Sequence, residues 1–158
     1  MPRPLHTFVK RTRMPASADE LFAWHEAPGA FEKLTPPWER VEVLERHGGI
    51  RDGARVIVRV GRWPLRLRWE LEHRDYISGR QFCDVQVRGP FAAYRHLHLM
   101  EPDGPDASFL EDRIEFAMPL GLLGDLVARL FVLPKFRKLF SYRHRVTAES
   151  LAALRRIR

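Results

Sequence analysis

The chain has 158 residues, 45% of them hydrophobic and 30% charged, with a formal net charge of +7. That length and balance fit one domain, residues 1–158, with one sizeable core, and they exclude a disordered or fibrous chain. The single cysteine, Cys83, excludes an internal disulfide and suits a reducing compartment, so a cytoplasmic location is expected. The first thirteen residues have no apolar run after their basic positions, so no secretory leader is expected. The least polar stretch, residues 117–134, contains Asp125, Arg129, Pro119, Gly121 and Gly124 and is too polar and broken to span a bilayer. The basic residues are spread along the chain. Specific nucleic-acid binding is therefore not expected, while transient contact with an anionic membrane surface stays open.

Residues 4–14 alternate and predict a first strand, with Phe8, Thr12 and Met14 on one face. Pro15 follows, then Ser17 with Glu20 three residues on, the pattern of a capping box that opens a helix through Leu21, Phe22 and Trp24. Pro28-Gly29 ends it, and Ala30 to Leu34 predicts one more turn before Pro36-Pro37. The period then changes to two. Strands are expected at 40–46, 54–60, 65–73, 81–87, 92–100 and 108–118, separated by glycine- and proline-rich turns. Beyond Pro119 the period is helical: Leu123, Leu126, Val127, Leu130 and Phe131 mark one segment. Pro134 predicts a kink, and Phe136, Leu139, Phe140, Arg143, Val146, Leu151 and Leu154 mark a long amphipathic helix. Consecutive strands imply antiparallel pairing, and the last helix is the natural cover for the sheet's inner face.

The local sequence carries more. Residues 82–98 read Phe-Cys-Asp-Val-Gln-Val-Arg-Gly-Pro-Phe-Ala-Ala-Tyr-Arg-His-Leu-His. They are followed by Glu-Asp-Arg at 111–113, Pro-Leu-Gly-Leu-Leu-Gly at 119–124 and Phe-Ser-Tyr-Arg at 140–143. This resembles the START-like superfamily, also called polyketide cyclase/dehydrase or birch-pollen-allergen-like. The closer likeness is to a bacterial branch related to coenzyme Q-binding START domains, some of whose members are fused to sugar-epimerase-like domains. Position 94 is Tyr here, where the family usually has Trp. The resemblance implies an α+β helix-grip fold: a seven-stranded curved antiparallel sheet wrapped around a long C-terminal helix, with two short helices after the first strand. It also implies a cavity between sheet and helix that binds lipids, quinones, polyketides or similar molecules. It does not imply catalysis, because the superfamily mixes carriers, sensors and enzymes.

Alternation places Asp112 inward with Ile114 and Phe116, places Tyr94, His96 and His98 on one face, and places Phe82, Asp84 and Gln86 on another. An odd loop at Gly89-Pro90 would set Asp84 opposite His96. The expected interior polar cluster is Asp84, Gln86, His96, His98 and Asp112, with Arg143 reaching from the helix to neutralise an inward carboxylate. Trp69, Phe136 and Phe140 complete the expected cavity wall. Three readings compete: a satisfied polar network that fixes register, a grip on a ligand's polar head, and chemistry at a His98–Asp112 pair or a His96–His98–Asp112 metal site. The expectation is a binding or carrier domain for a small hydrophobic molecule, with no cofactor and no metal. The alternative is a cyclase- or dehydratase-type enzyme. Cys83 is expected to face away as a small buried filler, and His25 and His73 have no evident partner.

Overall fold

A computed structural model describes residues 4–157. The first strand, β1 (His6–Met14), runs into Ser17, whose hydroxyl accepts from the Glu20 amide at 3.2 Å while the Glu20 carboxylate accepts from the Ser17 amide at 3.0 Å. This closed capping box starts α1 (Ala18–Glu26). Gly29, at φ 85°, supplies the left-handed turn into the single-turn α2 (Ala30–Lys33). Six strands follow: β2 (Val41–His47), β3 (Arg55–Val60), β4 (Leu67–Ile77), β5 (Gln81–Arg88), β6 (Ala93–Pro102) and β7 (Ser108–Ala117). The sheet order is β1-β7-β6-β5-β4-β3-β2, antiparallel throughout, so the first strand pairs with the last. Irregular register in β2 and at two places in β4 bends this side of the sheet. The fourth strand is shifted from its expected span. Val60 pairs with Leu67, which leaves Leu65 in the hairpin, and pairing continues past His73 to Ile77.

The chain then enters α3 (Gly121–Val127), a π-helical turn over Ala128–Val132 and α4 (Leu133–Ile157). The wider turn falls just before Pro134, where the proline ring removes one donor and crowds the preceding turn. The buried side of α4 is Phe136, Phe140, His144, Thr147 and Leu151. The helix is thus rotated from the expected stripe, with His144 and Thr147 inside and Leu154 half exposed. Two polar residues hold core positions because both are satisfied. His144 is bonded to Asp112 and Thr12, and the Thr147 hydroxyl donates to the Arg143 carbonyl at 2.9 Å.

The inner face divides into two apolar clusters. One joins Met14, Leu21, Phe22, Phe82, Met100, Leu110 and Leu151 beneath α1. The other joins Phe8, Tyr94, Ile114, Phe116, Phe136 and Phe140 beneath the start of α4. On β6 and β7 the residues between the clusters are His96, His98 and Asp112. Among the described residues, no helix is long and apolar enough to cross a membrane.

Candidate ligand cavity and its histidine–aspartate wall

Strand alternation and register bring the polar residues together. Asp84 stands opposite His96 on one side and His73 on the other, and His98 stands opposite Asp112. The His98 Nε2–H donates to Asp84 Oδ2 at 3.0 Å, and His98 Nδ1 is 2.8 Å from Asp112 Oδ1. His96 Nε2 donates to the same Asp112 oxygen at 2.7 Å. His144 Nε2 donates to Asp112 Oδ2 at 2.7 Å, and its Nδ1 accepts from the Thr12 hydroxyl at 2.7 Å. One carboxylate from β7 thereby ties β6 and α4 together, and Thr12 extends the chain of bonds to β1.

Burial opposes charge on His98, but Asp112 and Asp84 at its two ring nitrogens outweigh it and raise its pKa to about 9. For both aspartates burial favours the neutral acid, yet the histidines around them hold Asp84 and Asp112 well below the usual carboxylate range. Burial, helped by the charge on His98, lowers His96 to about 4. Burial also lowers His25 to about 4, although its Nδ1–H donates to the Leu21 carbonyl at 2.9 Å. The centre is thus one imidazolium between two carboxylates, flanked by neutral rings.

These shifts fix the shape of the stability profile. His98 binds its proton more tightly in the folded chain, so its contribution is full below its ordinary value of 6.5 and is lost as pH rises toward 9. His25 and His96 bind theirs less tightly, so stability falls as pH drops from 6.5 toward 4. Denaturant unfolding in EDTA-containing buffers is expected to show a maximum near pH 6.5, with flanks of up to about 1.4 kcal/mol per pH unit for each group. A profile that climbs steadily through this range would contradict the charge assignment.

Beside this centre lies a cavity of about 160 Å³, room for on the order of ten waters. Its walls are largely apolar: Ile50, Val56, Val58, Val60, Leu71, Phe82 and Trp69, closed by Ala30, Phe31 and Leu34 of the α2 region. The polar side is His25, His73, Asp84, His96 and His98, with Tyr94 and Arg143 nearby. Arg46 and Gly49, both exposed, mark where it meets solvent.

Of the residues singled out in the sequence, Trp69, Phe82, Asp84, Tyr94, His96, His98 and Arg143 line this cavity. Ile114, Phe116, Phe136 and Phe140 do not. With Phe8 they fill the space beneath the start of α4, through edge and tilted ring contacts such as Phe116–Phe136 at 5.3 Å. The cavity is displaced from there toward β2–β5 and α2, and none of residues 117–134 borders it. Asp112 sits behind the histidines. Gln86 clamps the β5–β6 loop instead, its amide donating to the Phe91 carbonyl at 2.9 Å and accepting from the Phe91 amide at 3.3 Å. Arg143 does not meet a carboxylate: its guanidinium donates to the Leu34 carbonyl at 3.1 Å and lies over the Phe140 ring, fixing α2 to α4. His144, one position on, takes the role expected of it. Cys83 is fully buried, and burial pushes its thiol up to about 11.

Residues 6–154 match the model of the family described as polyketide cyclase / dehydrase and lipid transport. The chain belongs to this family. Solved structures share its fold at low identity. A norcoclaurine synthase mutant from Thalictrum flavum, in complex with a transition-state analogue, has a TM-score of 0.75 at 13% identity, over 98% of this chain and 99% of that one. A START superfamily protein from Mycobacterium smegmatis has a TM-score of 0.68 at 15% identity, over 94% and 99%. A nucleoside-diphosphate sugar epimerase from Corynebacterium glutamicum has a TM-score of 0.70 at 21% identity, over 94% of this chain but only 30% of its own. No curated protein matches the chain in sequence. The family and its fold agree with hydrophobic-ligand binding in general. The chemistry of a particular ligand rests on the cavity itself.

Proposed function

We propose that this chain binds and carries a small, largely apolar molecule with one polar end, of lipid, quinone or polyketide type, in the cavity between β2–β5, α2 and α4. The observation that carries this reading is the split character of the wall: aliphatic and aromatic side chains on most sides, and one patch of histidine and aspartate. Burial of apolar ligand surface contributes roughly 25 cal/mol per Å² before ordering costs. His73, Asp84 and His98 supply donors and acceptors that orient the head group. Access runs past Phe31 and Arg46, because α2 is a single turn held mainly by its contacts with neighbours.

The chain also makes transient contact with an anionic bilayer. The exposed apolar rows of α3 and the hairpin tip at Trp63 and Leu65 lie at one end of the sheet, and the cavity mouth at Arg46 and Gly49 lies toward the other, so this contact is separate from ligand entry.

Purified protein, extracted with organic solvent and examined by native mass spectrometry after exposure to lipids and quinones, is expected to carry one apolar molecule. Val58→Trp fills the cavity from its apolar side, at an overpacking cost of about 1–3 kcal/mol, and is expected to abolish uptake while the fold persists. Uptake by Val58→Trp equal to wild type, or none by wild type under any loading, would reject the reading.

One feature favours a second reading as a cyclase- or dehydratase-type enzyme. His98 lies between two carboxylates and also faces the cavity, which is an arrangement for moving a proton at a bound carbonyl compound. In that case His98→Ala abolishes turnover while uptake survives; as a carrier the chain has no turnover to lose.

A further inference from the structure

The two aspartates divide the histidines unequally. Asp112 accepts from His96 and His98 on one oxygen and from His144 on the other, all at 2.7–2.8 Å. That set alone fixes strand register and helix docking. Asp84, on the cavity side, adds a second negative charge. Its Oδ2 is 3.0 Å from His98 Nε2 and 3.7 Å from His96 Nδ1. His73 Nε2 lies 3.0 Å from its Oδ1 but is not aligned on it, so this buried oxygen has no hydrogen bond. A network with only a structural role would have no use for a second carboxylate with an unsatisfied oxygen.

We infer that Asp84, His96 and His98 form a binding site for a transition-metal dication of the zinc class, open on the cavity side. One ligand atom from each lies within 4.8 Å of the other two. Metal–nitrogen bonds of about 2.0–2.1 Å put tetrahedral neighbours roughly 3.3 Å apart, so small side-chain adjustments close the set. The orientation of the rings is the stronger argument. Asp112 holds His96 by Nε2 and His98 by Nδ1, which turns His96 Nδ1 and His98 Nε2 toward Asp84. A carboxylate behind each ligating imidazole is the arrangement that positions histidine on a metal. Two imidazoles and one carboxylate select transition ions over calcium or magnesium. The ion replaces the proton on His98 Nε2, which leaves to solvent. The remaining position faces the apolar chamber, where a ligand's oxygen would meet a Lewis acid.

This inference does not depend on the proposed carrier role, because metal uptake and apolar-ligand uptake are read separately. Untagged full-length protein, stripped with a chelator, is titrated with Zn²⁺ by calorimetry and with Co²⁺ by visible absorption. One equivalent is expected to bind at micromolar affinity or tighter, with a low-symmetry Co²⁺ spectrum. His96→Gln and Asp84→Asn are each expected to weaken binding at least 100-fold, and Asp112→Asn, which keeps all three ligands but loosens the support behind the rings, by about 10–100-fold. X-ray absorption of the Zn²⁺-loaded wild type needs no variant and is expected to show at least two imidazoles. A first shell with one imidazole or none, or Zn²⁺ affinity unchanged in folded His96→Gln, overturns the site; so does failure of the stripped wild type to bind either ion.

Discussion

Replacing Asp112 with alanine is expected to cost about 3–5 kcal/mol, among the largest losses available to any single side chain here. Asp112 is 3% exposed and serves His96, His98 and His144 at once. Its removal strands three buried rings, the charged His98 among them, and cuts the tie between β6, β7 and α4. The bonds are not additive, but each orphaned donor carries its own desolvation penalty. Asp112→Asn keeps the shape and loses the charge, so it is expected to fall between alanine and wild type. Arg143→Ala is the control. That side chain holds one carbonyl of the α2 region and is not bonded to any carboxylate among the described residues, so its loss is expected to cost about 1 kcal/mol. Urea unfolding of the three variants gives the order directly. An Asp112→Ala protein within about 1 kcal/mol of wild type would mean that the histidines satisfy one another or reach water, and the account of the core would fail.

The same residues show where sequence reasoning stops. Strict alternation on β5, β6 and β7 was enough to put Asp84, His96, His98 and Asp112 on one inner face, and the register then brought them into contact. A period of two leaves little freedom once one face must be apolar. The helix was harder. Arg143 and His144 are neighbours in sequence and about 100° apart on α4, and counting apolar residues alone favoured the stripe through Val146 and Leu154. The row Phe136–Phe140–His144, spaced by four, was the signal that distinguished them. His73 shares the inner face of its strand with Leu71 and Trp69, but the irregular register of β4 hid its partner Asp84. The cavity's position was not legible. It depends on five phenylalanines filling one half of the sheet–helix space, and three-dimensional packing of that kind leaves no mark in one strand's pattern.

Substituting Leu122 and Leu126 together with glutamate is expected to reduce partition onto anionic vesicles at least tenfold, with no loss of folding stability. The sequence of α3 and the π-helical turn forms three kinds of row. Gly124 and Ala128 face the protein and are buried, while Asp125 and Arg129 pair along one side at 3.1 Å. Leu122, Leu126 and Leu130, with Leu123 and Phe131 beside them, face solvent, and Leu122 is 87% exposed. Across the same end of the sheet, Trp63 and Leu65 project from the β3–β4 hairpin, 85% and 78% exposed. Two separate apolar tips at one end exceed the scattered leucines of an ordinary surface. Four exposed cations belong to these two segments and the start of α4: Arg62 and Arg137, together with Arg129 and Lys135, which pair with Asp125 and Glu39. A second copy of a chain with net charge +7 would bring like charges together around this patch, whereas an anionic bilayer accepts both the leucines and the arginines. Each leucine inserted contributes on the order of 1–2 kcal/mol, so losing two and adding negative charge exceeds a tenfold effect. Flotation with phosphatidylglycerol-containing vesicles against pure phosphatidylcholine, at low and high salt, separates the apolar from the electrostatic share. Sedimentation velocity on the same proteins tests the competing occupant. If wild type sediments as a dimer, ignores both kinds of vesicle and becomes a monomer on substitution, the leucines are a subunit interface, and the membrane reading falls.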